Sequence, residues 1–304
     1  MLPSIADPIS SMLNRKHSFG KLFIDPQSAA AQCLAAAETK PACLQRVAST
    51  PQAIWVTDVS AIADLRTKLD DALANKEIVV VVLYAIPGRD FGGVYSAGGE
   101  ETEDSYRAYV DAFCDVIAQH RVISIVEPDA IPDMLNNEFG EARAKSRMTL
   151  LRYACERLGK LSQTDVYLEC GHSGWPDEKR LNQWLRSSGI LDAITGIAMN
   201  VSNYKSAKEC LDRARTLLDL APCEVAPLVI DCSRNGASLD PDLSGDDSWC
   251  NPPGARLGPD PILSPSDYHA QLWIKRPGES DGEHNSGVPA GRFSLDLCCR
   301  LCGK

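Results

Sequence analysis

The chain has 304 residues, about 44% of them apolar, enough for one large core or two small ones. Its formal net charge is −10 and it has no Lys/Arg block, so it lacks the clustered positive charge that a nucleic-acid backbone demands. No apolar run approaches the ~18 residues of a membrane span, and the first twenty residues carry no apolar leader segment, so neither a membrane protein nor a retained signal peptide is predicted.

Residues 1–45 read as an N-terminal helical extension packed on the main fold, with Cys33 and Cys43 bracketing a short helical stretch. "AIWVTD" (53–58) is a short strand candidate, and Leu65, Leu69 and Leu73 then recur at helical spacing. "EIVVVVLYAIPGRD" (77–90) is an apolar run that ends on Arg89 and Asp90. Tyr106, Val110, Phe113 and Ile117 mark the next helix, and "RVISIVEPD" (121–129) ends on Asp129. "DVYLECGHSGW" (165–175) ends on Glu169, His172 and Trp175; "ITGIAMNVSNY" (194–204) ends on Asn200 and Asn203. Leu211, Ala214 and Leu218 mark another helix. "APLVIDCSRNG" (226–236) ends on Asp231 and Arg234, and "AQLWIKRPGESDG" (270–282) on Lys275, Glu279 and Asp281. The Pro/Gly-rich stretch 252–266 reads as a loop within the domain.

Apolar strands alternating with helices imply a parallel sheet covered on both faces. About seven such units predict an α/β fold, a closed or partly open parallel β/α barrel of TIM-like type, with a doubly wound open sheet as the alternative. In such folds the C-terminal strand ends form the working face. That places Asp90, Asp129, Glu169, Asp231, Glu279 and Asp281 around one rim. Crowded carboxylates force each other's pKa values apart, which yields an acid and a base. Glycoside hydrolysis uses such a pair, and metal-dependent hydrolysis is the rival. Only His172 of the five histidines reaches the rim and no HxH or HExxH occurs, so no metal site is predicted. Trp55, Trp175 and Trp249, with Tyr84, fall near rim loops, where aromatic faces would stack on sugar rings. Trp184 and Trp273 are placed in the core. Glu127 is expected to be a buried partner of an arginine, and Asp231 and Arg234 to pair with each other.

The segments "YAIPGRD" (84–90), "VEPDAI" (126–131), "YLECGHSGW" (167–175), "NVSNY" (200–204), "IDCSRNG" (230–236), "WCNPPGARLG" (249–258) and "LWIKRPGESDG" (272–282) together resemble glycoside hydrolase family 6, the cellulases. The resemblance implies a distorted, partly open β/α barrel and inverting hydrolysis of β-1,4-glucan or cello-oligosaccharides without a cofactor. By this likeness Asp129 is the general acid and Asp90 the neighbour that keeps its pKa high. Asp281 is the candidate base, Ser96 a water-positioning serine, and Tyr84 the residue that distorts the sugar ring. Trp55, Glu169, His172, Trp175, Asn200, Trp249, Lys275 and Glu279 match substrate-binding positions.

Four departures stand out. Glu169 replaces the family's usual Asp. Phe91 stands where many members carry a disulfide cysteine. No second tryptophan follows within a few residues of Trp175, where "PDEK" stands. The segment 282–290 is short, where cellobiohydrolases carry a long roofing loop that also holds the usual partner of Cys250. The short 282–290 segment predicts an endo-acting enzyme with an open cleft rather than a cellobiohydrolase, and Glu169 keeps a non-catalytic glucan-binding protein as the rival from another class. No carbohydrate-binding module or linker is recognised within residues 1–304, which read as one catalytic domain. A secreted monomer is expected, with disulfides among the twelve cysteines. Cys114, Cys155 and Cys170 are expected as buried thiols. The single CxxC at Cys299 and Cys302 makes a weak zinc signal.

Overall fold

The computed structural model describes residues 8–13, 15, 17–91 and 95–303. Strands β1 (Ile54–Val56), β2 (Val79–Leu83), β3 (Val122–Val126), β4 (Thr164–Glu169), β5 (Gly196–Met199) and β6 (Ala226–Asp231) pair in chain order, each parallel to the next. A two-residue strand, β7 (Ile262–Leu263), runs antiparallel to β8 (Tyr268–Leu272), which lies parallel to β6. β7 falls inside the stretch that the sequence marks as loop. Two residues leave too short a pattern to read beside the surrounding prolines.

No ladder joins β8 to β1 among the described residues. Two hydrogen bonds cross that gap instead: Ala53 N–H to the Trp273 carbonyl, and the Trp55 indole N–H to the Ile274 carbonyl, each 2.9 Å. The sheet is therefore a distorted half-barrel of eight strands, mostly parallel, with helices around it. The helices are α1 (Pro8–Leu13), α2 (Ala29–Ala36), α3 (Ala42–Ala48), α4 (Val59–Ala74), α5 (Glu103–Ile117), α6 (Ala130–Met134), α7 (Glu141–Leu158), α8 (Glu178–Ser188), α9 (Ala207–Leu218) and α10 (Leu295–Leu301).

Strand β2 shows why the strands are apolar throughout. Val79, Val81 and Leu83 pack into the layer shared with the helices, while Val80, Val82 and the following Tyr84 fill the barrel interior. Both faces are buried, so no polar alternation survives. The helices carry one apolar face each. In α5, Tyr106, Val110, Phe113 and Ile117 are buried, and Thr102 and Ser105 form a reciprocal cap at its start. In α4 the buried face runs through Ile62, Leu65, Leu69 and Ala72, and Leu73 is 50% exposed. At 3.6 residues per turn, position 72 returns to within about 20° of Leu65 while position 73 lies about 80° away.

Residues 18–23 lie against the opposite end of the barrel from the rim. Lys21 and Phe23 bond to Ile78 at the entry of β2, and the Ser18 N–H reaches the Asp165 carboxylate at 2.6 Å. Helices α2, α3 and α10 share a satellite core with Trp273, closed by a Cys43–Cys302 disulfide. Cys114, Cys155, Cys170 and Cys250 are buried free thiols. Trp273 is fully buried and Trp184 packs partly buried on the main core.

Candidate active site

The chain leaves its strands through sharp turns at the rim. Asp90 (φ 56°), Glu127 (φ 47°), Asp129 (φ 68°) and Asn200 (φ 68°) all adopt left-handed backbone. Non-glycine residues there are sparse and strained, and they persist only where surrounding contacts fix them. Glu127 shows such fixing. It is fully buried, and its carboxylate accepts the N–H groups of Ala85 (3.0 and 3.1 Å) and Ile86 (3.1 Å) at the end of β2. Burial pushes its carboxyl up to about 7. No arginine forms an ion pair with it among the described residues, contrary to the sequence expectation. Backbone N–H groups left over where β2 ends meet the same need as a guanidinium.

Asp129 follows after Pro128, immediately before α6. Its N–H donates to Glu169 Oε2 at 3.0 Å, while Glu169 Oε1 accepts the Gly171 N–H at 2.7 Å. Burial, reinforced by the like charges of Asp133 and Asp90, pushes the Asp129 carboxyl up to about 7. Glu169 is 1% exposed and is raised well above the ordinary carboxyl range by burial and by Asp129. The two carboxyls therefore resist ionising together.

Asp90 sits in the loop after β2, where its Oδ2 accepts the Ser96 N–H at 2.8 Å. Arg89 stiffens that loop, bonding the Ser96 carbonyl at 3.0 Å and the Tyr84 carbonyl, with its guanidinium 4.6 Å from the Tyr84 ring centre. The Tyr84 hydroxyl is driven upward in pKa by burial and by the charges of Asp129 and Asp90. Trp55 meets Tyr84 edge-on, with ring centres 5.2 Å apart.

Asp281 has the opposite environment. Its Oδ2 takes Arg234 at 2.6 Å, the Tyr204 hydroxyl at 2.8 Å and the Asn251 N–H at 3.2 Å. Its Oδ1 faces Lys275 Nζ at 3.1 Å. Burial alone would raise this carboxyl, but Arg234 and Lys275 outweigh it and hold it at about 2.

Asp231 is structural. It is fully buried and accepts four backbone N–H groups, from Ser202, Ser233, Ile274 and Lys275, at 2.9–3.2 Å. The expected Asp231–Arg234 pair does not form, because Arg234 takes Asp281 as its acid partner. Asn200 is also fully buried, and its amide serves Lys205 and the Asp231 carbonyl. The structure does not bring it to the open face. Glu279 is buried against Arg276 at 2.8 Å. His172 and Trp175 sit together, ring centres 6.0 Å apart, and burial with nearby Lys205 and Arg213 lowers the imidazole to about 4. Trp249 is 38% exposed.

Sequence reasoning missed Asp133, Arg147, Tyr204 and Asn251. Arg147 pairs with Asp133 at 3.3 Å and bonds the carbonyls of Pro87 and Gly88, so it anchors the Asp90 loop from behind. Asn251 bonds both backbone and side chain of Asp281. Tyr204 and Asn251 lie within the rim motifs NVSNY and WCNPPGARLG, where their residue types signalled them. Arg147 lies mid-helix in α7, where a polar residue looks like any solvated position.

A parallel half-barrel carrying a raised carboxyl, an ion-paired carboxylate and indole faces on one rim defines a glycoside-hydrolase class of site. The chain belongs to the glycosyl hydrolases family 6, whose model matches residues 19–295. It is 33% identical over 269 residues to Endoglucanase A of Thermobispora bispora, covering 86% of this chain and 58% of that protein. Endoglucanase A of Cellulomonas fimi is 32% identical, with 92% of this chain and 60% of that protein covered. The chain thus spans about three fifths of the length of these relatives. Exoglucanase 3 of Agaricus bisporus also matches, at 28% identity over 84% of this chain and 65% of that protein. Among solved structures, the endoglucanase Cel6 of Mycobacterium tuberculosis, in complex with a methyl-cellobiosyl-thio-cellobioside, has a TM-score of 0.81 and 32% identity, covering 98% of this chain and all of that one.

Proposed function

We propose that this protein is an endo-acting β-1,4-glucanase that hydrolyses cellulose or related β-glucans with inversion and acts outside the cell. The observation that carries it is the divergence of two carboxyls on one rim: Asp129 raised to about 7 and Asp281 held at about 2. Asp129 protonates the leaving glycosidic oxygen while a water attacks the anomeric carbon from the opposite face. Asp281, already ion-paired to Arg234 and Lys275, is a weak base, which favours proton loss through water held near Ser96. Its negative charge then serves the oxocarbenium-like transition state electrostatically. Tyr84 presses on the sugar ring, and Trp55, Trp175, Trp249, His172, Lys275 and Glu279 line its path.

An open cleft is supported by the course of residues 282–292. Asn251 binds the Gly282 and His284 carbonyls, His284 pairs with Asp247 at 2.7 Å, and the chain returns to Ser280 through Gly291 and Arg292. Beyond Gly282 the segment folds down against the loop that carries Trp249.

The test is proton NMR of a fresh digest of soluble mixed-linkage β-glucan. The α-anomer is expected first, with β following by mutarotation. β appearing first would overturn inversion. The pH profile gives a second check. Asp129 acts protonated, so kcat is expected to fall as pH rises through about 7. Asp90→Asn removes a charge that raises Asp129, so this fall moves to lower pH. An upper limb that stays in place in Asp90→Asn would remove Asp90 from the role.

A further inference from the structure

The loop after β2 touches the loop after β8 through a residue that no motif marks. Tyr95 lies between Asp90 and Ser96, and its ring rests on Gly282, the residue after Asp281. A Cβ on Gly282 would fall 2.5 Å from Cδ2 and 2.6 Å from Cγ of that ring. Glycine at 282 is therefore what allows the tyrosine to seat. The Tyr95 ring centre lies 6.1 Å from that of Trp249, tilted by 55°. Neither the Tyr95 hydroxyl nor the Trp249 indole N–H has a hydrogen-bond partner among the described residues; Tyr95 is half-buried and Trp249 is exposed. Tyrosine and tryptophan with free polar tips are the groups that bind where one end of a contact is apolar and the other wet.

We propose that Tyr95 is a specificity-determining residue that, seated on Gly282 and beside Trp249, forms an aromatic bracket for the glucose unit bound at the Asp281 end of the cleft. This rests on the β-glucan reading above. The bracket joins the two loops that carry Asp90 and Asp281, so a sugar held by it also fixes their separation. Its apolar faces suit the C–H faces of a β-glucosyl ring, and its unpartnered hydroxyl suits a sugar hydroxyl.

The experiment is calorimetric titration of cellotetraose into Asp129→Asn protein, which keeps the ligand intact, alone and combined with changes at Tyr95 and Gly282. Tyr95→Ala is expected to weaken binding about tenfold, the scale of one lost aromatic contact, and Tyr95→Phe by a smaller factor. Gly282→Ala displaces the ring and is expected to weaken binding as Tyr95→Ala does. The two changes together are expected to be no worse than either alone, because both remove one contact. Tyr95→Ala binding within twofold of the parent, or additive losses, would overturn the bracket and leave the glucan assignment standing. Absence of cellotetraose binding by both the parent and the unmutated protein would overturn the glucan assignment, and the bracket with it.

Discussion

Asp129→Asn is expected to lower hydrolysis of unactivated β-glucan by about 10²–10⁴-fold, the usual contribution of a positioned general acid. The change keeps the side chain's shape and removes its transferable proton. It also removes a charge from a crowded group, since Asp133, Asp90 and Glu169 all face it. Stability should therefore hold or rise slightly. The Asp129 N–H bond to Glu169 involves the backbone and survives. A melting temperature within a few degrees of the parent, with cello-oligosaccharide binding intact and turnover lost, is the expected pattern. A variant that still turns over natural glucan at parental rate would remove Asp129 from the chemistry. Substrates with a good leaving group need no acid, so their cleavage should suffer less, and comparing the two separates proton donation from positioning.

The architecture was legible because burial on both faces writes strands such as VVVVL and VISIV in one kind of residue. The rim was legible because such runs stop at polar residues when the chain leaves the sheet. Which rim carboxylates face a sugar was not legible. Asp231 and Asp281 look alike in sequence, each ending an apolar run near a cation. In space, Asp231 points at four backbone N–H groups and Asp281 at Arg234 and Lys275. That difference depends on where separate loops meet, over about fifty residues of chain. Asn200 misled for the same reason: an asparagine suits both a sugar and a left-handed turn, and here it makes the turn. Tyr95 was invisible because it is ordinary until Gly282, which the sequence marks only as the end of a motif, is beside it.

Arg147→Ala is expected to be the most destabilising single change near the site. The guanidinium is 2% exposed, paired with Asp133 and packed 4.3 Å from the Phe139 ring centre. It also satisfies the carbonyls of Pro87, Gly88 and Ala130. Removing it strands the buried Asp133 charge, at a cost of about 3–5 kcal/mol. For a chain of this size that is a fall in melting temperature on the order of 10 °C. Asp133 also accepts the Phe91 N–H at 3.0 Å, so the loop bearing Asp90 loosens as well. A displacement of about 1 Å there can lower kcat by around 10²-fold even in the fraction that remains folded. The double change Arg147→Met with Asp133→Leu removes both charges together. It should recover much of the stability, because a buried ion pair exchanged for apolar packing is often neutral. It should not recover kcat, because the carbonyls of Pro87 and Gly88 stay unheld. Recovery of both would mean that the pair only fills space; recovery of stability alone would show that Arg147 positions the Asp90 loop.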